Sequence, residues 1–192
     1  MEHQANQVNL IISESWLDLQ PMEYPAIPLK FSHYLEHIRK VFGYDHIPDE
    51  VLEQWIYPLH ADPNMVRSYA WIDFLEVGFI KESWTVSELL NVRAIKVFMG
   101  MLEPIDDRLK IVEATGEDKR CWDLQGTWLV PPIILDTYTF TEVCPLYVEL
   151  QMPFQLVEGH SRMRNLLISR YQQLPLAPMH QVYRMFNRKF KE

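Results

Sequence analysis

The chain is poor in glycine and cysteine, with six of the first and two of the second in 192 residues. Cys121 and Cys144 make no disulfide framework, and with His46 and His60 they offer no C-x-x-C spacing that would read as structural zinc. No G-x-S-x-G elbow and no P-loop string is present, which removes two common enzyme readings. Long apolar runs are missing too. Stretches such as 128–135 fall far short of the ~20 residues a membrane helix needs, so no membrane partner is expected. The opening MEHQANQVNL lacks a basic region followed by an apolar one. No secretory signal is read there, and the thiols are expected to be reduced, in the cytoplasm. Neither a repeat period nor a low-complexity tract is visible.

Acid is absent from one segment. Residues 159–191 hold seven basic side chains (Arg162, Arg164, Arg170, Arg184, Arg188, Lys189, Lys191) and no Asp or Glu, in a protein of net charge -8. Such a segment can attract phosphate or nucleic acid, or dock on the chain's own acidic helices. The remaining composition is ordinary for a globular domain: 48% hydrophobic, 23% charged, with six Trp to fill a core.

Periodicity divides the chain near residue 126. Phe31, Leu35, Ile38 and Phe42 mark one face of a helix that Ser32 can cap and Gly43 can stop. A second helix is expected over 48–57, ended by Pro58. Asp62-Pro63 opens a longer one carrying Val66, Tyr69, Ala70, Phe74 and Val77, closed by Gly78. Thr85 to Glu88 has the capping-box pattern and opens another, and 104–115 is a further short helix. Trp55, Tyr69, Trp71 and Trp84 fall at core spacings. After Gly126 come β-rich stretches at 128–135, 146–150 and 154–157, then helices over 162–173 and 178–190. The expectation is an α+β protein, a helical region 1–125 packed on a small sheet with two C-terminal helices (126–192), the two forming one compact unit.

The junction after 154–157 is the chemically suggestive feature. Gly159 stands where a strand turns into a helix and lets an anion approach the backbone. Ser161 can cap that helix, whose first-turn N–H groups and dipole favour phosphate. Arg162 adds a bidentate donor, and His160 a further donor or proton-transfer group, making it the one catalytic candidate. Arg164 and Arg184 are read as outer steering charges.

On Gly126, Pro132, Ile133 and the run Val157-Glu158-Gly159-His160-Ser161-Arg162 with its following helix, the segment 126–171 resembles the ParB/sulfiredoxin-like superfamily. The resemblance implies a phosphate or nucleotide site at Gly159, His160, Ser161 and Arg162, with a nucleotide as the possible cofactor. Where sulfiredoxins carry a catalytic Cys this chain has His160, so sulfinic-acid repair is not implied. ParB proteins place Glu and Arg at the positions of His160 and Ser161, and a helix-turn-helix follows; here 20 residues follow Gln172. Chromosome partitioning is therefore not implied either.

A second string, His33-Tyr-Leu-Glu-His37, has the H-x-x-E-H spacing that lets two histidines share a metal, with Glu113 as a distant third ligand. Its residues His33, Glu36 and His37 lie opposite the apolar stripe, on the face expected in solvent, so no metal site is expected. Asp45, Asp49, Glu50, Glu53 and Asp62 likewise read as a solvated acidic face. The function expected is phosphate or nucleotide binding at the junction, with nucleic acid a possible partner of the basic segment. The alternative is a regulatory or immunity-type protein offering its acidic helices to a protein partner.

Overall fold

The computed structural model describes residues 9–21, 30–102 and 116–190. The expected helix over 104–115 and Glu113 lie outside them. The class is α+β. Nine α-helical segments and five strands are seen among the described residues: α1 (Glu14–Asp18), α2 (Phe31–His37), α3 (Asp49–Val51), α4 (Tyr57–Leu59), α5 (Pro63–Tyr69), β1 (Val77–Thr85), α6 (Val86–Leu89), β2 (Val92–Ala94), α7 (Met99–Leu102), α8 (Gly116–Gln125), β3 (Ile133–Asp136), β4 (Phe154–Glu158), α9 (His160–Tyr171) and β5 (Met179–Asn187). The strands form one sheet in the order β1-β5-β3-β4-β2, so it takes strands from both sides of residue 126.

Each face of that sheet has its own core. Val77 of β1, Ile133 and Leu135 of β3, Val157 of β4, and Tyr183 and Met185 of β5 pack with Trp16, Tyr34, Trp55, Tyr69 and Phe74 from the helical side. Their sequence neighbours Ile134, Leu156 and Val182 point the other way, onto Leu89, Trp128, Met163 and Leu166. This is the period-2 alternation of a strand, with apolar groups on both faces because both faces are covered. Trp55, Tyr69, Trp71 and Trp84 are all buried, as their spacing predicts.

Four expectations are corrected. The C-terminal helix expected over 178–190 is β5, a strand paired antiparallel with β1 along all nine residues and parallel with β3 over Tyr183–Met185. Ladders on both sides outweigh any local helical preference of this stretch. Gly78 does not stop a helix: α5 ends at Tyr69, and Gly78 lies within β1 opposite Phe186. A Cβ there would sit 2.4 Å from Phe186 Cζ, so the missing side chain makes room for the ring. Residues 146–150, expected as a strand, join no ladder among the described residues. Pro58 does not end its helix, because a π-helical turn over Leu52–Ile56 precedes it and α4 carries the chain on to Leu59.

Two expected caps are present and a third is not. Asp62 caps α5 through Asn64 N–H (2.9 Å) and Met65 N–H (3.1 Å). Thr85 and Glu88 form the reciprocal capping box, although the helix it opens runs only to Leu89. Ser32 is not a cap: Lys30 stands at that position and supplies no side-chain bond.

Candidate functional site

The turn from β4 to α9 is built on Gly159, whose φ of +101° is left-handed territory. A Cβ there would also meet Pro132 Cβ at 2.6 Å and the Arg162 guanidinium at 3.1 Å. The glycine thus lets three things converge: the sharp turn, the stretch before β3, and an arginine folded back along its own helix. Gly159 itself is the N-cap, so Ser161 does not cap α9 as expected; its side chain is exposed in the first turn.

Arg162 is held from two sides. Its Nη2 donates to Gln54 Oε1 at 2.6 Å and lies 3.5 Å from Glu158 Oε1, at the end of β4. Gln54 in turn donates to the Pro131 carbonyl at 3.0 Å, tying the π-helical turn to the junction. Burial pushes the Glu158 carboxyl up, against the pull of Arg162 and of the Gly159 N–H. Burial also lowers Arg162, opposed by Glu158 and Asp118. His160 is 8% exposed, its ring edge-on to Phe98 at 4.8 Å. Burial first, and the Arg162 charge second, push its pKa down to about 4. It is therefore a neutral imidazole at physiological pH, a hydrogen-bonding group rather than a proton shuttle. Two buried nitrogens here have no hydrogen-bond partner among the described residues, His160 Nε2 and Arg162 Nε. An unpaired buried polar group costs about 1–3 kcal/mol, and Trp55 Nε1, Ser169 Oγ and His180 Nε2 also lack a partner among the described residues.

These side chains line a cleft of about 480 Å³, within the size range of small-molecule sites. Its apolar walls are Leu59, Met65, Phe98, Met101, Trp122 and Trp128. The two indoles are nearly parallel, 26° apart with centroids 6.5 Å from one another. Trp128 is fixed by its Nε1–H bond to the Gln181 carbonyl (2.6 Å) and by packing on His180. Asp62, Asp118 and Glu158 add carboxylates to the lining.

The structure brings Gly159, His160, Ser161 and Arg162 together on one wall. It does not bring the two outer arginines into the role expected of them. Arg164 donates to the Met101 carbonyl at 2.8 Å and clamps α7 onto α9. Arg184 forks between Glu82 (2.9 Å) and Asp136 (3.0 Å) in a separate depression with Trp84 and Phe154. His33 and Glu36 are exposed, Glu36 pairs with Lys40, and the ring of His37 packs on Phe42. Among the described residues no group of three or more His, Cys, Asp or Glu is placed to hold a metal. Sequence reasoning missed Gln54, Phe98, Asp118, Trp122 and Trp128 as site residues. Only Glu158, four residues before Arg162, carried a local signal.

Set against protein-family models, curated proteins and solved structures, the chain matches none. No helix among the described residues is long and apolar enough to cross a membrane.

Proposed function

We propose that this protein binds a small planar ligand bearing a single phosphate or similar anion, of the mononucleotide class, in the junction cleft, and that it does so in the cytoplasm. The observation that carries this reading is the convergence in one cleft of the α9 N-terminus, an indole-lined wall and two buried nitrogens that have no partner among the described residues. Aromatic faces hold a base by stacking, worth about 1–3 kcal/mol each. The first-turn N–H groups of a twelve-residue helix suit one phosphate. The ParB/sulfiredoxin resemblance enters only through this strand–glycine–helix turn and the contact of Pro132 with it.

Nucleic acid draws less support. Most of the basic segment is spent inside the molecule: Arg162 on Glu158 and Gln54, Arg184 on Glu82 and Asp136, Lys189 on Glu76, and Arg188 on the Leu75 carbonyl. An acidic docking face for a protein partner is likewise reduced, because Asp45 and Asp49 face Arg39 while Glu50 takes Lys81 and the Tyr183 hydroxyl.

Isothermal titration with the four ribonucleoside monophosphates tests the reading. At least one is expected to bind at or below millimolar concentration, and Arg162→Ala to weaken it about tenfold or more, by leaving Glu158 unopposed beside the phosphate. Thermal melting of the variant separates lost binding from lost folding. Silence with all four ligands at millimolar concentration would overturn the proposal.

A further inference from the structure

Residues 96–102, a 3-10 turn followed by α7, form a loosely packed side of the junction cleft. None of them is buried. They run between two hollows. Phe98 and Met101 line the cleft, while Met99 and Leu102 line a second cavity of about 200 Å³ shared with Leu89, Met163 and Leu167. Protein interiors leave few voids larger than a water molecule, so a segment with space on both sides gains little from packing. Its fastenings are correspondingly light. Arg164 donates to the Met101 carbonyl at 2.8 Å, the Phe98 ring lies 4.8 Å from that of His160, and Leu102 touches the second core from a half-buried position. Lys96 pairs with Glu149 at 2.5 Å, both side chains mostly in solvent, where such pairs add little.

The segment covers a polar group. His160 is 8% exposed, its Nε2 is buried without a hydrogen-bond partner among the described residues, and the ring beside it is Phe98. A covered nitrogen of that kind regains a hydrogen bond as soon as water or a ligand reaches it, which offsets part of the cost of lifting the cover. We propose that residues 96–102 are a strap that lifts off the start of α9 as a unit, with Arg164 as its latch, and uncovers His160 while the sheet stays closed. The strap governs entry to the cleft for any occupant, mononucleotide or other. His180 supplies the contrast within the same chain. Its Nε2 is likewise buried and partnerless among the described residues, yet it is held in the paired strand β5, with Trp128 against its ring and Thr127 on its Nδ1 at 2.8 Å.

Diethyl pyrocarbonate acylates an unprotonated imidazole nitrogen, and peptide mass spectrometry separates the histidines of the full chain. At neutral pH burial holds both His160 and His180 in the neutral form, so access sets their rates. His160 is expected to react at least about tenfold faster than His180, because a strap opens far more often than a central strand. In mild urea the His180 rate should climb steeply, as it waits on global unfolding, while the His160 rate stays nearly flat, since lifting the strap exposes little new surface. Arg164→Ala removes the latch and should speed His160 by about threefold or more with His180 unchanged. Equal rates for the two histidines in the wild-type chain, the same urea dependence for both, or an Arg164→Ala effect on neither would each overturn the strap. If Arg164→Ala unfolds the chain, both histidines become reactive together, and the wild-type comparison decides. The test uses no ligand, so its outcome is separate from that of the nucleotide titrations.

Discussion

At Gly159 two demands fall on one backbone position, a left-handed φ and a close approach to Pro132 and the Arg162 guanidinium. Gly159→Ala strains both, and thermal or denaturant unfolding should show a loss of about 2 kcal/mol or more. A loss under about 0.5 kcal/mol would mean that the turn relaxes freely. His160 sets a pH dependence whose sign follows from its burial. Its pKa in the fold, about 4, lies below the 6.5 of a free imidazole. The folded chain therefore binds fewer protons, and stability is lost as the pH falls from about 6.5 toward 4. His60 and His180 are lowered in the same way and Glu158 is shifted upward, so wild type alone does not isolate the effect. Against a His160→Gln variant, wild type should lose about 1–2 kcal/mol more stability between pH 7 and pH 5. Parallel curves would show that His160 titrates equally in the folded and unfolded chain. At this scale the sequence was legible only along the backbone. Gly159 to Arg162 could be found because a strand, a glycine and a helix start are local signals. Gln54 lies 108 residues from Arg162, and Phe98, Asp118 and Trp122 also reach the cleft by tertiary folding. No spacing rule reports such meetings.

The elements divide along the same line. Asp62 and Thr85 were readable as caps because capping is a contact between residues two or three apart. Thr85→Ala should cost about 1 kcal/mol in chemical denaturation, and no change would mean that the four-residue helix α6 is held by packing alone. β5 was not readable. Tyr183 and Met185 face one core, Val182 the other, so its polar–apolar alternation is blurred, and what makes it a strand is β1 on one side and β3 on the other. Amide hydrogen exchange checks this. Protection in Met179–Asn187 should appear on both the β1-facing and β3-facing amides around Tyr183, and should exceed that of the three-residue edge strand β2. Fast exchange throughout that stretch would contradict a central strand.

Across the whole molecule, charge is settled internally to a degree the bare count conceals. The acid-free run 159–191 reads as a patch on paper, yet in the fold Arg162, Arg184 and Lys189 pair with Glu158, Glu82, Asp136 and Glu76, while Arg164 and Arg188 donate to backbone carbonyls. Fluorescence anisotropy with short DNA should therefore show no saturable binding at physiological salt. Tight binding that falls steeply with added salt would restore the basic segment as an interface. The sheet that crosses residue 126 has a parallel consequence: the strand–helix junction and the helical region complete one cleft together, with Leu59 and Met65 from one side and His160 and Arg162 from the other. That cleft is the central claim, and an amide and indole NMR titration with AMP tests it most directly. The account predicts shifts concentrated at the Ser161 and Arg162 amides and the Trp122 and Trp128 indole N–H groups. An unchanged spectrum at millimolar AMP, or shifts confined to the Glu82–Arg184 depression, would contradict it.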